Sequence, residues 1–168
     1  AVSIVQNARR TIGCNYVFAD AKEKRACAVE TTAHHAEVFY ENDPKEERSA
    51  YAQSLENGVL RADFAVDPAI RDLQTCAGGN PKKPGLEDPR GTGAYDRRYA
   101  GQAVFAREKY GLLDDTLMVE LARAVAPGSN VQSVIYSFPE FRVANAQGKA
   151  RAADAEYHTF NVEKLLAE

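Results

Sequence analysis

Apolar and polar residues follow two periods along the chain. Residues 15–20 (NYVFAD) and 26–32 (ACAVETT) flank the charged break 21–25 (AKEKR), and a third alternating run follows in 35–41 (HAEVFYE). Runs of this kind around tight polar breaks predict a meander of three antiparallel strands. Before them, Ile4, Val5 and Ala8 lie at helical spacing in VSIVQNARR, which predicts the last turns of a helix. The stretch 42–58 is polar and reads as a connector, with room for a short surface helix, and 58–66 (GVLRADFAV) returns to strand character.

Helical signals occupy the middle of the chain. Asp67-Pro68 offers an N-cap and a proline at the first helical position for PAIRDLQTCAG, stopped by Gly78-Gly79. Residues 77–94 hold three prolines and five glycines, a loop long enough to predict a functional or subunit-contact role. In 95–111, Tyr95, Tyr99, Ala103, Ala106 and Tyr110 share one helical stripe. A further helix over 114–126 is capped by Asp114 or Asp115 and stopped by Pro127-Gly128. Strands return in 130–138 and 141–146, linked through Pro139 and closed at Gln147-Gly148, with one more strand and an amphipathic turn in 155–168. Strands, then helices, then strands predict an α+β layout.

Composition narrows this picture. With 168 residues, 45% apolar and 27% charged, residues 1–168 read as a single globular domain. A net charge of −3 argues against nucleic acid as a partner. No run approaches the roughly 20 apolar residues of a membrane span, and residues 1–12 lack a signal-peptide pattern, so no membrane is expected and the cytoplasm is favoured. Ala1 leads straight into helical spacing, which predicts the C-terminal part of a larger domain.

Cys14, Cys27 and Cys76 show no metal-type spacing and read as reduced, mostly buried thiols. His34-His35 has no third ligand at a recognisable spacing, so no metal site is predicted and turn histidines are the simpler reading. Phosphate-loop and nucleophile-elbow motifs are absent, and no cofactor is predicted. Asp20 and Glu30 end neighbouring strands and read as neutralising Lys22, Lys24 and Arg25, while His158 suggests core or rim packing and Asn130 the satisfaction of loop backbone.

Residues 13–39 (GCNYVFADAKEKRACAVETTAHHAEVF), 93–102 (GAYDRRYAGQ) and 129–166 (SNVQSVIYSFPEFRVANAQGKARAADAEYHTFNVEKLL), taken in order, resemble the back half of the acyl-coenzyme A:6-aminopenicillanic acid acyltransferase-like family, related to choloylglycine hydrolases. The resemblance implies an N-terminal nucleophile hydrolase, an αββα sandwich whose precursor cleaves itself to free a cysteine. Its thiol attacks an amide or thioester carbonyl, with its own α-amine, of ordinary pKa near 8, as general base. The resemblance places that nucleophile upstream of Ala1. Gly13-Cys14 is the one competing Gly-Cys pair, and it aligns with a later strand.

Two further positions carry over. The family's oxyanion Asn aligns with Ala62 in Arg61-Ala62-Asp63-Phe64, leaving Arg61 and Asp63 either to grip a polar substrate or to form a strand-end salt bridge. The arginine that approaches the family's site aligns with Arg98, with Tyr99 beside it as a substrate-binding candidate. Arg98 could orient catalytic groups or bind a substrate carboxylate, or instead pair on the surface with Asp96 or Glu108. The implied partners are a small-molecule acyl substrate and a companion chain or homodimer covering exposed strand edges. The alternative function is a non-catalytic binding or assembly module.

Overall fold

In a computed structural model, which describes residues 1–48, 52–73 and 96–167, the chain is α+β and falls into two compact units, 1–107 and 108–168. The loop 77–94, the Gly78-Gly79 stop and Cys76 lie outside the described residues.

In the first unit the predicted meander is present: β1 (Asn15–Asp20), β2 (Arg25–Thr31) and β3 (Ala36–Tyr40) form an antiparallel sheet in the order β1-β2-β3. The middle strand is sheltered on both faces, and every residue from Cys27 to Thr31 is buried. Because side chains alternate, Val17, Ala28 and Phe39 share one face with Glu30, while Tyr16, Cys27 and Val29 line the other. Helix α1 (Val2–Asn7) precedes the sheet, and Arg10 ties its end to the β2–β3 turn. Gly13 must be glycine: a Cβ there would lie 2.3 Å from the Thr31 carbonyl oxygen. Cys27 is buried as expected, but Cys14 is exposed, since only its backbone is held, by Thr31.

The connector makes a 3-10 turn at Pro44–Arg48, and its ends are clamped where Asn42 Nδ2 donates to Asn57 Oδ1 and Asn57 N donates to Asn42 Oδ1, both at 2.9 Å. Residues 59–66, expected as a strand, run irregularly. Side chains meet their backbone groups in place of a ladder: Asn15 Nδ2 donates to the Ala62 carbonyl at 2.8 Å, and Val66 N and Asp67 N donate to Glu30. Helix α2 (Pro68–Leu73) then starts where Ile70 N donates to Asp67 Oδ1 at 2.9 Å, as the Asp-Pro signal predicts. Helix α3 (Asp96–Glu108) buries Tyr99, Ala103 and Ala106, three members of the expected stripe.

The second unit holds α4 (Asp115–Val125), capped by Asp114, and the sheet β4 (Gln132–Ser137), β5 (Glu140–Asn145) and β6 (His158–Asn161) in that order, followed by α5 (Val162–Leu166). Phe138-Pro139, at the β4–β5 turn, is a cis peptide. One sheet face carries buried Ile135 and Ala144, and Arg142 on that face pairs with Asp115 of α4 at 2.8 Å. Asn130 has its expected backbone role: its Oδ1 accepts from Ala153 N and its Nδ2 donates to the Gln132 carbonyl. The opposite face presents a row across all three strands, Tyr136, Phe141 and Phe160, with ring centroids 5.9 and 5.3 Å apart. Tyr136 is 77% exposed. His158, expected in packing, is on this face and exposed. Among the described residues no helix is long and apolar enough to cross a membrane.

Candidate functional site

A carboxylate on a buried strand needs partners, because an unpaired buried charge is among the costliest features a fold can carry. Glu30 has three. Val66 N donates to its Oε1 at 2.7 Å and Asp67 N to its Oε2 at 2.8 Å, and Arg61 Nε lies 2.6 Å from Oε1. Arg61 also reaches Glu46 Oε1 of the 3-10 turn with Nη2 at 2.8 Å and donates from Nη1 to the Leu60 carbonyl at 2.6 Å. Its guanidinium carbon stands 4.5 Å from the centroid of Phe39, on the same sheet face as Glu30. The Nε and Nη2 contacts are close ion pairs without linear hydrogen-bond geometry, so charge attraction holds them more than direction does.

Among the described residues Glu30 and Glu46 both pair with Arg61. Burial pushes the Glu30 carboxyl above its ordinary range, with Arg61 and the two backbone N–H groups pulling it partly back. Tyr99 borders the cluster from α3. Burial drives its phenol up to about 12, opposed by the N–H of Gln53, which donates to the phenolic oxygen at 2.9 Å, and by the charge of Arg61. Tyr99 is therefore a neutral phenol across the physiological range. Arg107, two turns further along α3, donates to Gln53 Oε1 at 3.2 Å and to the Ser54 carbonyl at 3.0 Å, so the helix is fixed to residues 53–54 at two points.

The neighbouring Arg98 pairs with Asp63, and both side chains keep partial exposure. The four residues singled out from the sequence thus fall into two arrangements. Arg98 and Asp63 meet at the accessible edge, 35 positions apart in the chain. Arg61 and Tyr99 belong to the interior, where the Arg61 side chain is 3% exposed and committed to Glu30 and Glu46. Arg61 is committed to Glu30 and Glu46, and Asp63 pairs with Arg98.

Glu30 and Glu46 were not legible as partners of Arg61. Glu30 does not serve the Lys22–Arg25 turn, because it lies at the far end of β2 from it. Its signal was present in the sequence as a lone carboxylate directly after the apolar run Ala26–Val29. Glu46 gave none, since it lies in a polar stretch without period. Asn15 gave no signal either: its amide donates to the carbonyl of Ala62. Among the described residues no group of three or more His, Cys, Asp or Glu side chains is placed to hold a metal ion.

No protein-family model, curated protein or solved structure matches the chain.

Proposed function

We propose that the chain is part of a cysteine N-terminal nucleophile acyltransferase or amidohydrolase, acting on amide or thioester acyl bonds, with the nucleophile carried outside these 168 residues. The observation that supports this reading is the pairing of Arg98 with Asp63. The residue nominated to approach the site meets a residue nominated to bind substrate, on the accessible side of the first unit. A carboxylate partner fixes the plane of a guanidinium, which is what an arginine needs to orient a reacting acyl group or a substrate carboxylate. Buried Tyr99, next in sequence, anchors the α3 segment that presents Arg98. Two three-stranded antiparallel sheets accompanied by helices are also the parts from which an αββα sandwich is assembled, and that finer fold belongs to the proposal.

The experiment is steady-state turnover of the intact gene product on a chromogenic acyl amide and an acyl thioester. Arg98→Ala should lower kcat/KM by about 100-fold, the order expected when a positioning group is lost. Arg98→Lys should restore part of it, since lysine keeps the charge but not the planar fork. Parent-like turnover by Arg98→Ala would remove the support.

A second reading, a non-catalytic binding or assembly module, is favoured by the exposed Tyr136–Phe141–Phe160 row, which suits a companion chain or a homodimer. It requires that the intact product turn over neither substrate.

A further inference from the structure

We infer that the cleft between the end of α1, the β2–β3 turn and the end of α2 is a binding site for a small organic anion with a short apolar arm, such as a medium-chain carboxylate. The inference stands whether or not the acyl-transfer reading holds. The cleft has a volume of about 400 Å³ and is lined by Thr11 and Ile12 on one side, Thr32, His34 and His35 on another, and Leu73 on the third. That size falls within the roughly 300–1,000 Å³ of small-molecule sites.

One wall, the Thr32–His35 turn, is held by hydrogen bonds. Thr32 Oγ1 accepts from the backbone N–H of His34 and of His35, at 3.3 and 3.1 Å. Arg10 donates from Nε to the Thr32 carbonyl at 2.9 Å, from Nη2 to the His35 carbonyl at 3.2 Å, and from Nη1 to the carbonyls of Val5 and Ala8. Gly13 lets the chain pass against Thr31 with no room for a side chain. A turn locked through its backbone loses little further freedom when a ligand arrives, which favours binding.

The groups that face the cleft are, by contrast, uncommitted. Among the described residues the Thr11 hydroxyl and the two imidazoles make no hydrogen bond, while the backbone N–H groups of His34 and His35 donate to Thr32 Oγ1. Ile12 and Leu73 are exposed apolar side chains, 69% and 58% accessible. The local charge selects the sign of the ligand. Residues 1–19 and 31–36, which supply two of the three walls, contain two arginines and two histidines and no carboxylate, in a chain whose net charge is −3. Hydrogen-bonding side chains and aliphatic ones in the same lining fit a carboxylate head with a hydrocarbon arm.

The test is an amide-resolved NMR titration of the full chain with sodium hexanoate, using hexylammonium chloride at equal ionic strength as the control with the same arm and opposite charge. The inference expects saturable shifts in the millimolar range at Thr11–Gly13 and Thr32–His35 with hexanoate alone. His34→Ala/His35→Ala, whose fold its own spectrum checks, should weaken binding about tenfold, the worth of one charge-assisted hydrogen bond. Ile12→Ser should weaken it while leaving the preference for the anion. Absence of saturation, equal shifts with hexylammonium, or unchanged affinity in the histidine double variant would each overturn the assignment.

Discussion

Replacing Arg61 with alanine tests the interior of the first unit most severely. The substitution leaves Glu30, fully buried, and Glu46, nearly so, without their cation. Removing one member of a buried ion pair costs about 3–5 kcal/mol, and losing the guanidinium over Phe39 adds about 1 kcal/mol. Set against the roughly 5–15 kcal/mol that holds a domain together, that is a large fraction of the total. Urea unfolding followed by circular dichroism at neutral pH should show the midpoint falling by about 2 M or more for an ordinary urea slope. The pH dependence gives an independent sign. Arg61 is the largest influence lowering the Glu30 carboxyl, so without it the folded-state pKa climbs further above the unfolded value near 4.3. The folded variant then holds a proton that the unfolded chain has released, and its stability rises as pH falls from neutral toward the middle fours. The deficit of Arg61→Ala should therefore shrink in mild acid. A midpoint within about 0.3 M of the parent at neutral pH, well inside the range of a surface change, would show that Arg61 does not hold the buried carboxylates.

Three further outcomes follow from the same structure. Of the eight tyrosines, one should titrate near pH 12 in ultraviolet difference spectra and vanish in Tyr99→Phe. Because its folded pKa is raised, its stabilising contribution is complete below the unfolded value near 10 and is lost as pH rises from 10 to 12, which alkaline unfolding of parent and variant will read. Gly13→Ala should destabilise the first unit by about 1–3 kcal/mol in urea titrations, because the new methyl group meets a carbonyl held in the sheet and not a movable side-chain end. If the exposed row carries a contact between copies, Tyr136→Ser with Phe160→Ser should shift sedimentation velocity toward monomer without lowering the thermal midpoint, and a monomeric parent would remove that reading.

What was legible in the sequence was local. The meander could be read because short apolar runs of strand composition are separated by polar breaks, and the helix starts at Asp67-Pro68 and Asp114 because capping involves residues within one turn. Residues 59–66 misled because Val59, Leu60, Phe64 and Val66 have strand composition, while the Ala62 carbonyl is met by Asn15 and the Val66 N–H by Glu30, both remote in the chain. The site was half legible for the same reason. Arg98, Asp63, Arg61 and Tyr99 were singled out, but their division into an accessible pair and an interior cluster depends on Glu46 and Glu30, which no spacing connects to Arg61.

The most direct test of the proposed function is to treat the intact gene product with iodoacetamide, follow acyl-amide and acyl-thioester turnover, and locate the alkylated cysteine by mass spectrometry. The account predicts that turnover is lost as one cysteine outside these residues, bearing a free α-amine, is modified. Absence of turnover before treatment, or inactivation that maps to Cys14, Cys27 or Cys76, would contradict it.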